Sequence, residues 1–153
     1  MRKLLTFLLL GLMLAASSAF AADPIVGTWT LNVAKSKFAS GPAPKAGNRV
    51  YSESGGLYTL EQKITGADGK EATFKVQYRE GDNTTSNAAN GIDSSHATKV
   101  NANTWDFAFK SGGKEVGRVQ RTVSADGKTL TVHNTGKQLS GATGDDTLVF
   151  DKK

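Results

Sequence analysis

The chain has 153 residues, 38% of them hydrophobic and 22% charged, with a formal charge of +5. Its lysines and arginines are spread along the sequence and form no tract, so the basic balance describes a solvated surface and not a nucleic-acid footprint. It contains no cysteine, which excludes disulfides, thiolate metal sites, cysteine nucleophiles and a lipid-bearing cysteine together.

Met1-Arg2-Lys3 precedes an apolar run from Leu4 to Ala16, and small residues follow at Ala19 and Ala21. A basic start, a short apolar run and a small-residue cleavage site predict a secretory signal peptide over residues 1–21, cut after Ala21. The apolar run is shorter than the roughly 20 residues that a spanning helix requires. Cleavage leaves one domain over 22–153, long enough for one hydrophobic core and without a membrane span. Losing Arg2 and Lys3 lowers the charge from +5 to +3. The expected location is the periplasm or the exterior.

The first predicted strand runs from Ile25 to Val33, with Gly27, Trp29, Leu31 and Val33 on one face. A short helical turn is expected over Ala34 to Phe38, with Phe38 plugging one end of the core. Pro42 and Pro44 exclude Gly41 to Lys45 from any central strand, because each removes a backbone donor. Asn48 to Ser54 and Leu57 to Ile64 form a hairpin about Gly55-Gly56, glycine supplying the positive φ of a tight turn. The second of these aligns Tyr58, Leu60, Gln62 and Ile64. Ala67-Asp68-Gly69-Lys70 turns into Glu71 to Tyr78, where Phe74, Val76 and Tyr78 share a face.

Arg79 to Ser95 is the least regular stretch, rich in Asn, Thr, Ser and Gly. It is read as an edge strand near Asn83 to Ser86 and then a loop. Long loops in compact domains serve as lids or binding loops, or as plain surface. Strands return at Ser95 to Val100 and at Thr104 to Lys110, where Trp105, Phe107 and Phe109 alternate strictly. Glu115 to Ser124 aligns Gly117, Val119, Arg121 and Val123. A second Ala-Asp-Gly-Lys turn at 125–128 leads to Thr129 to Asn134, with Leu130 and Val132 aligned. A polar connection carries Asp145-Asp146 in a turn, and the last strand runs from Asp146 to Asp151.

Period-2 alternation with regular turns therefore predicts an all-β domain of about eight to ten antiparallel strands. A sandwich and a single up-and-down β-barrel are both open to such a set, and meander connectivity favours the barrel.

Chemistry leaves few signatures. His96 and His133 fall in separate strands without metal-ligand spacing, and no Gly-x-Ser-x-Gly elbow occurs. Gly55-Gly56 and Gly112-Gly113 link strands and open no helix, so they do not cradle phosphate. No catalytic residue, metal site or cofactor is assigned. Trp29, Tyr58, Phe74, Tyr78, Trp105, Phe107, Phe109 and Phe150 project to one interior, which is either a packed core or an aromatic-lined cavity. Periodicity does not separate the two.

Gly27-Thr28-Trp29, followed by Lys35-Ser36-Lys37-Phe38, resembles the start of calycin-superfamily proteins, the lipocalins and the fatty-acid-binding proteins. The phrase from Ile25 to Pro44, with Val123 to Val132, resembles small secreted bacterial lipocalin-like proteins of unassigned activity. The resemblance implies that Gly27 and Trp29 close the barrel base and that Arg121 packs across the Trp29 ring. Arg121 shares a face with Val119 and Val123, so an inward guanidinium is expected on alternation alone, and it requires compensation. On this basis Arg121→Ala is expected to lower the melting temperature.

The favoured expectation is a monomeric, non-enzymatic barrel that binds a small apolar or amphipathic molecule. Tyr58, Gln62, Phe74, Tyr78, Trp105, Phe107 and Arg121 are its candidate ligand contacts, and Arg79 to Ser95 gates its open end. The alternative is a filled-core interaction module of the cell envelope; an enzyme with loop-borne catalytic residues ranks third. Neither nucleic acid nor a cofactor is expected.

Overall fold

The computed structural model describes residues 22–85 and 90–153. The signal peptide expected at 1–21 lies outside the described residues, as do residues 86–89 of the irregular stretch.

Ten strands account for most of the described chain: β1 (Gly27–Leu31), β2 (Ala46–Ser54), β3 (Leu57–Thr65), β4 (Glu71–Tyr78), β5 (Gly81–Thr84), β6 (Ser94–Asn101), β7 (Thr104–Ser111), β8 (Lys114–Val123), β9 (Thr129–Gly136) and β10 (Asp146–Lys152). A 3-10 turn at Val33–Lys35 is the helical piece expected after the first strand, one residue earlier and shorter. Asn32 caps it, its side chain accepting from the Lys35 amide. The first strand is shorter than predicted: Gly27 holds φ at +135°, and a Cβ there would sit 3.1 Å from Lys152 Cε.

The strand order is β4-β3-β2-β1-β10-β9-β8-β7-β6-β5, antiparallel throughout. Each strand pairs with its chain neighbour, and β1 pairs with β10, so the first and last strands close the barrel. The ladder stops at one place, between β4 and β5. The result is an all-β, ten-stranded, nearly closed up-and-down barrel.

The two ends of the barrel differ. At the base lie the start of β1, the end of β10 and the turns after β2, β4, β6 and β8. Here the aromatic residues fill the interior. Tyr58 stacks on Tyr78 at 5.3 Å between ring centres, Trp105 meets Tyr58 edge-on at 4.9 Å, and Phe107 meets Tyr78 edge-on at 4.9 Å. Such pairs are each worth about 0.5–1.5 kcal/mol beyond area burial. Because Tyr78 is on β4 and Phe107 on β7, this packing spans the break that no backbone ladder crosses.

Asp23 seals the base. Its carboxylate accepts from Lys99 Nζ (2.6 Å), Tyr58 Oη (2.9 Å), the Ile25 amide (3.0 Å) and Trp105 Nε1 (3.3 Å). Burial would raise its pKa; the Lys99, Ile25 and Tyr58 hydrogen bonds outweigh that and hold it below the usual carboxylate range. The same contact, after burial itself, pushes the Tyr58 phenol up.

Trp29 is fully buried and donates from Nε1 to the Ile25 carbonyl at 2.8 Å. The cation over its ring is Lys152, 5.0 Å from the centre, and not Arg121. Trp29 and Lys152 face each other across β1 and β10, whereas Arg121 on β8 is separated from β1 by β10 and β9. The Arg121 guanidinium instead crosses the interior to the rings of Phe107, Tyr78 and Tyr51.

Candidate functional site

The mouth, at the opposite end, is ringed by the connections after β1, β3, β5, β7 and β9. A cavity of about 610 Å³ lies beneath it, reaching down to Arg49, Gln62 and Arg121. Its walls are mainly apolar: Leu60, Ile64, Phe74, Phe109, Val119 and Leu148. Phe38, only partly buried, lies at the mouth with Ser40, Pro42 and Pro44, and helps to line the cavity. The interior is thus filled at the base and hollow toward the mouth.

Two arginines form the polar floor. Arg49 is 6% exposed and Arg121 5%. Arg49 points inward because the tight Gly55-Gly56 turn fixes the hairpin register that sets it opposite Gln62, and Tyr51 opposite Leu60. Its Nε donates to Gln62 Oε1 at 2.5 Å and its Nη1 to Tyr51 Oη at 3.3 Å, while the guanidinium lies 4.7 Å from the Phe150 ring centre. Arg121 faces Trp105 across β7 and β8. Its guanidinium sits 4.2 Å from the centre of the Phe107 ring, 5.3 Å from Tyr78 and 5.6 Å from Tyr51. Among the described residues, its Nε and Nη1 have no hydrogen-bond acceptor, and the Tyr78 hydroxyl beside it has no partner either.

Neither guanidinium has an ion-pair partner among the described residues. Their charges also act on each other: burial first, and then the Arg121 charge, lower the pKa of Arg49 against an opposing effect from Tyr51. Burial likewise pushes the Tyr78 phenol up to about 12, although Arg121 pulls the other way. Cation–π attraction offsets part of the burial of these two charges. The described residues leave the rest without a counter-charge, and an uncompensated buried charge is costly.

Asp68, which also lines the cavity, is exposed, and Asp146, the buried carboxylate on the cavity wall, does not neutralise the two guanidiniums. The amides of Ala39 (2.7 Å) and Ser40 (2.9 Å) donate to its Oδ1, and Ser40 Oγ and Gln138 Nε2 donate to its Oδ2. Burial would raise its pKa, but these hydrogen bonds prevail and hold it below the usual range. Asp146 is therefore the first residue of β10, facing inward, and not a turn residue; its neighbour Asp145 instead pairs with the exposed His133 at 2.7 Å. His96 makes a similar exposed pair with Asp82 at 2.7 Å.

Of the expected ligand contacts, Gln62, Phe74 and Arg121 line the cavity. Tyr58, Tyr78, Trp105 and Phe107 do not; they build the aromatic base beneath it, and Tyr58 and Trp105 spend their polar atoms on Asp23. Sequence reasoning missed Arg49, Asn134 and Asp146. The irregular segment reaches the mouth, where Asn90 donates to the carbonyls of Gln138 and Leu139 at 2.9 and 3.0 Å.

No protein-family profile matches the chain, and no curated protein sequence does. Solved structures do. A mutant of the fluorescent protein UnaG superposes with a TM-score of 0.59 at 17% identity, over 87% of this chain and 99% of that one. The fatty acid transporter REP1-NXSQ gives 0.58 at 14% identity, over 86% and 98%. The Schistosoma mansoni fatty acid binding protein, in complex with arachidonic acid, gives 0.58 at 13% identity, over 85% and 96%. The chain thus has the fatty-acid-binding-protein fold.

Proposed function

We propose that this protein is an exported, monomeric, non-enzymatic carrier of a small anionic amphiphile. The alkyl part lies against Leu60, Ile64, Phe74 and Leu148, and the anionic head rests on Arg49 and Arg121. The observation that carries this reading is the pair of buried guanidiniums without a counter-charge on the floor of an apolar cavity. A hydrogen bond to a charged group contributes about 1.5–3 kcal/mol, enough to fix which end of the ligand goes down. Solved neighbours named for fatty acid transport and fatty acid binding support a long-chain carboxylate as the first probe.

The test is calorimetric titration of the purified protein with palmitate, dodecyl sulfate and dodecyl phosphate. Saturable one-to-one binding of at least one of these is expected, weakened at least tenfold in Arg49→Met/Arg121→Met. Absence of saturable binding by all three overturns the reading. Export is tested separately by sequencing the N-terminus of the secreted protein: Ala22 is expected, and a start at Met1 rejects it.

A further inference from the structure

Asn134 is a buried polar residue on the cavity wall that the protein leaves unused. It is 5% exposed and lines the cavity. Neither its Oδ1 nor its Nδ2 has a hydrogen-bond partner among the described residues, and the residue lines the cavity. Apart from Arg121, the other buried polar side chains that line the cavity are engaged. Gln138 donates to Asp146, Asp146 accepts from Ala39 and Ser40, and Gln62 Oε1 accepts from Arg49. Buried side-chain amides are almost always bonded, because leaving one unbonded forfeits its hydration without replacement. Its cross-strand neighbours do not engage the amide: Asn134 faces Val119 across β8 and β9 and Asp146 across β9 and β10, and the Asp146 oxygens take their hydrogen bonds from Ala39, Ser40 and Gln138 instead.

Its position relative to the arginines is set by register. Arg121 faces Val132, and Val119 faces Asn134, so Asn134 stands one inward position nearer the mouth. That is roughly 7 Å along the strand. An amide offers both a donor and an acceptor, which matches a hydroxyl in either sense and a carbonyl in one.

We propose that the natural ligand carries a second hydrogen-bonding group, a hydroxyl or oxo group on its chain a few bonds from the anionic head, and that Asn134 is the residue that reads it. The inference rests on the carrier reading above. It narrows the ligand class from anionic amphiphiles in general to hydroxy- or oxo-substituted ones.

The experiment compares palmitate with a series of hydroxypalmitates that differ in hydroxyl position, titrated into the wild type and into Asn134→Val and Asn134→Thr. One hydroxyl position near the head should bind the wild type about fivefold tighter than palmitate, the worth of one net hydrogen bond. Asn134→Val should abolish or invert that preference, and Asn134→Thr, which puts a hydroxyl in place of the amide, should restore part of it. Arg121→Met should weaken palmitate and hydroxypalmitate by the same factor, leaving the preference intact. If the wild type binds palmitate and every hydroxypalmitate equally, or if Asn134→Val leaves a preference unchanged, the Asn134 inference is overturned while the carrier reading stands. If no member of the series binds but dodecyl sulfate or dodecyl phosphate does, the Asn134 inference is overturned and the carrier reading stands; if none of these binds, both fail. Circular dichroism melts of the two variants establish that each is folded before titration.

Discussion

At the scale of single residues, the informative contrast is between Arg121 as a structural group and Arg121 as a ligand anchor. Its guanidinium is sandwiched among Phe107, Tyr78 and Tyr51, yet two of its nitrogens lack acceptors. Replacing a buried, uncompensated charge by an apolar side chain of similar volume is often neutral or stabilising by about 1–4 kcal/mol. The cation–π attraction given up in exchange is worth roughly 0.5–2 kcal/mol per ring. Arg121→Met should therefore leave the melting temperature of the ligand-free protein the same or higher. Affinity for an anionic amphiphile should nevertheless fall at least tenfold. Alanine adds a cavity to the balance, so a lower melting temperature for Arg121→Ala would not identify a structural role. The inward direction of Arg121 was legible from alternation alone. Arg49 was not, because Asn48 to Ser54 shows no clear apolar face: its aliphatic residue Val50 points outward at 42% exposure. The tight glycine turn held the missing information: its register places Arg49 against Gln62, a residue already assigned to the interior. Asn134 continues the Leu130 and Val132 face and was passed over as a strand end.

At the scale of elements, turn chemistry made the strands readable and long-range contacts set the rest. Asp-Gly and Gly-Gly turns fix hairpin register locally, so β3, β4 and β7 fall within a residue or so of their expected limits. The edge strand β5 lies two residues earlier than expected, at Gly81–Thr84, because Asn83 bonds to both the amide and the carbonyl of Arg79 and tightens the turn from β4. No local signal announces Asp146, whose partners Ala39 and Ser40 lie more than a hundred residues away in the connection after β1. This carboxylate fastens that connection to the β9–β10 side of the mouth. Asp146→Asn turns an all-acceptor group into one that presents an NH2 to facing donors, and should cost about 1–3 kcal/mol. The pH dependence follows from the lowered pKa of Asp146. The unfolded chain binds this proton near pH 4, the folded chain only at lower pH. The stabilisation is therefore complete above the unfolded value and is lost as pH falls through the folded one. Thermal melts of the wild type and Asp146→Asn should differ most at neutral pH and converge under acid. A difference independent of pH would show that the carboxylate charge is not what holds the loop.

A second element-level device is the pair Gly117 and Gly136, opposite each other where β8 meets the end of β9. Gly136 has φ +69°, and a Cβ on Gly117 would come within 2.1 Å of the Lys137 carbonyl oxygen. The backbone of β9 turns over the top of β8 here, beside the cavity-lining Gln138. Gly117→Ala forces that crossing apart and should destabilise by roughly 1–3 kcal/mol, the range for overpacking a close contact. Chemical denaturation at unchanged m-value would measure it.

For the whole molecule, the consequence of the strand order is a barrel with one weak line. Backbone hydrogen bonds run from β4 through β1 and β10 to β5, and between β4 and β5 only side chains carry the wall. The two edge strands should exchange their amide hydrogens fastest, and the central β1, β10, β9 and β8 slowest, because local opening begins where the fewest bonds must break. The cavity-facing polar residues are divided between the two arms of this sheet. Arg49 and Gln62 are on β2 and β3, while Arg121 and Asn134 are on β8 and β9. A ligand whose head and chain contact both sets is a strut across the barrel, joining arms that the backbone links only the long way round. Binding at a hundredfold excess over the dissociation constant stabilises the folded state by about 2.7 kcal/mol. Much of that gain should emerge as slowed exchange at the β4 and β5 edges, which the ligand ties together without touching their ladders. Hydrogen exchange with and without bound amphiphile tests this. Protection confined to β2 and β3 would mean that the ligand rests on one arm alone, with Arg121 outside the site.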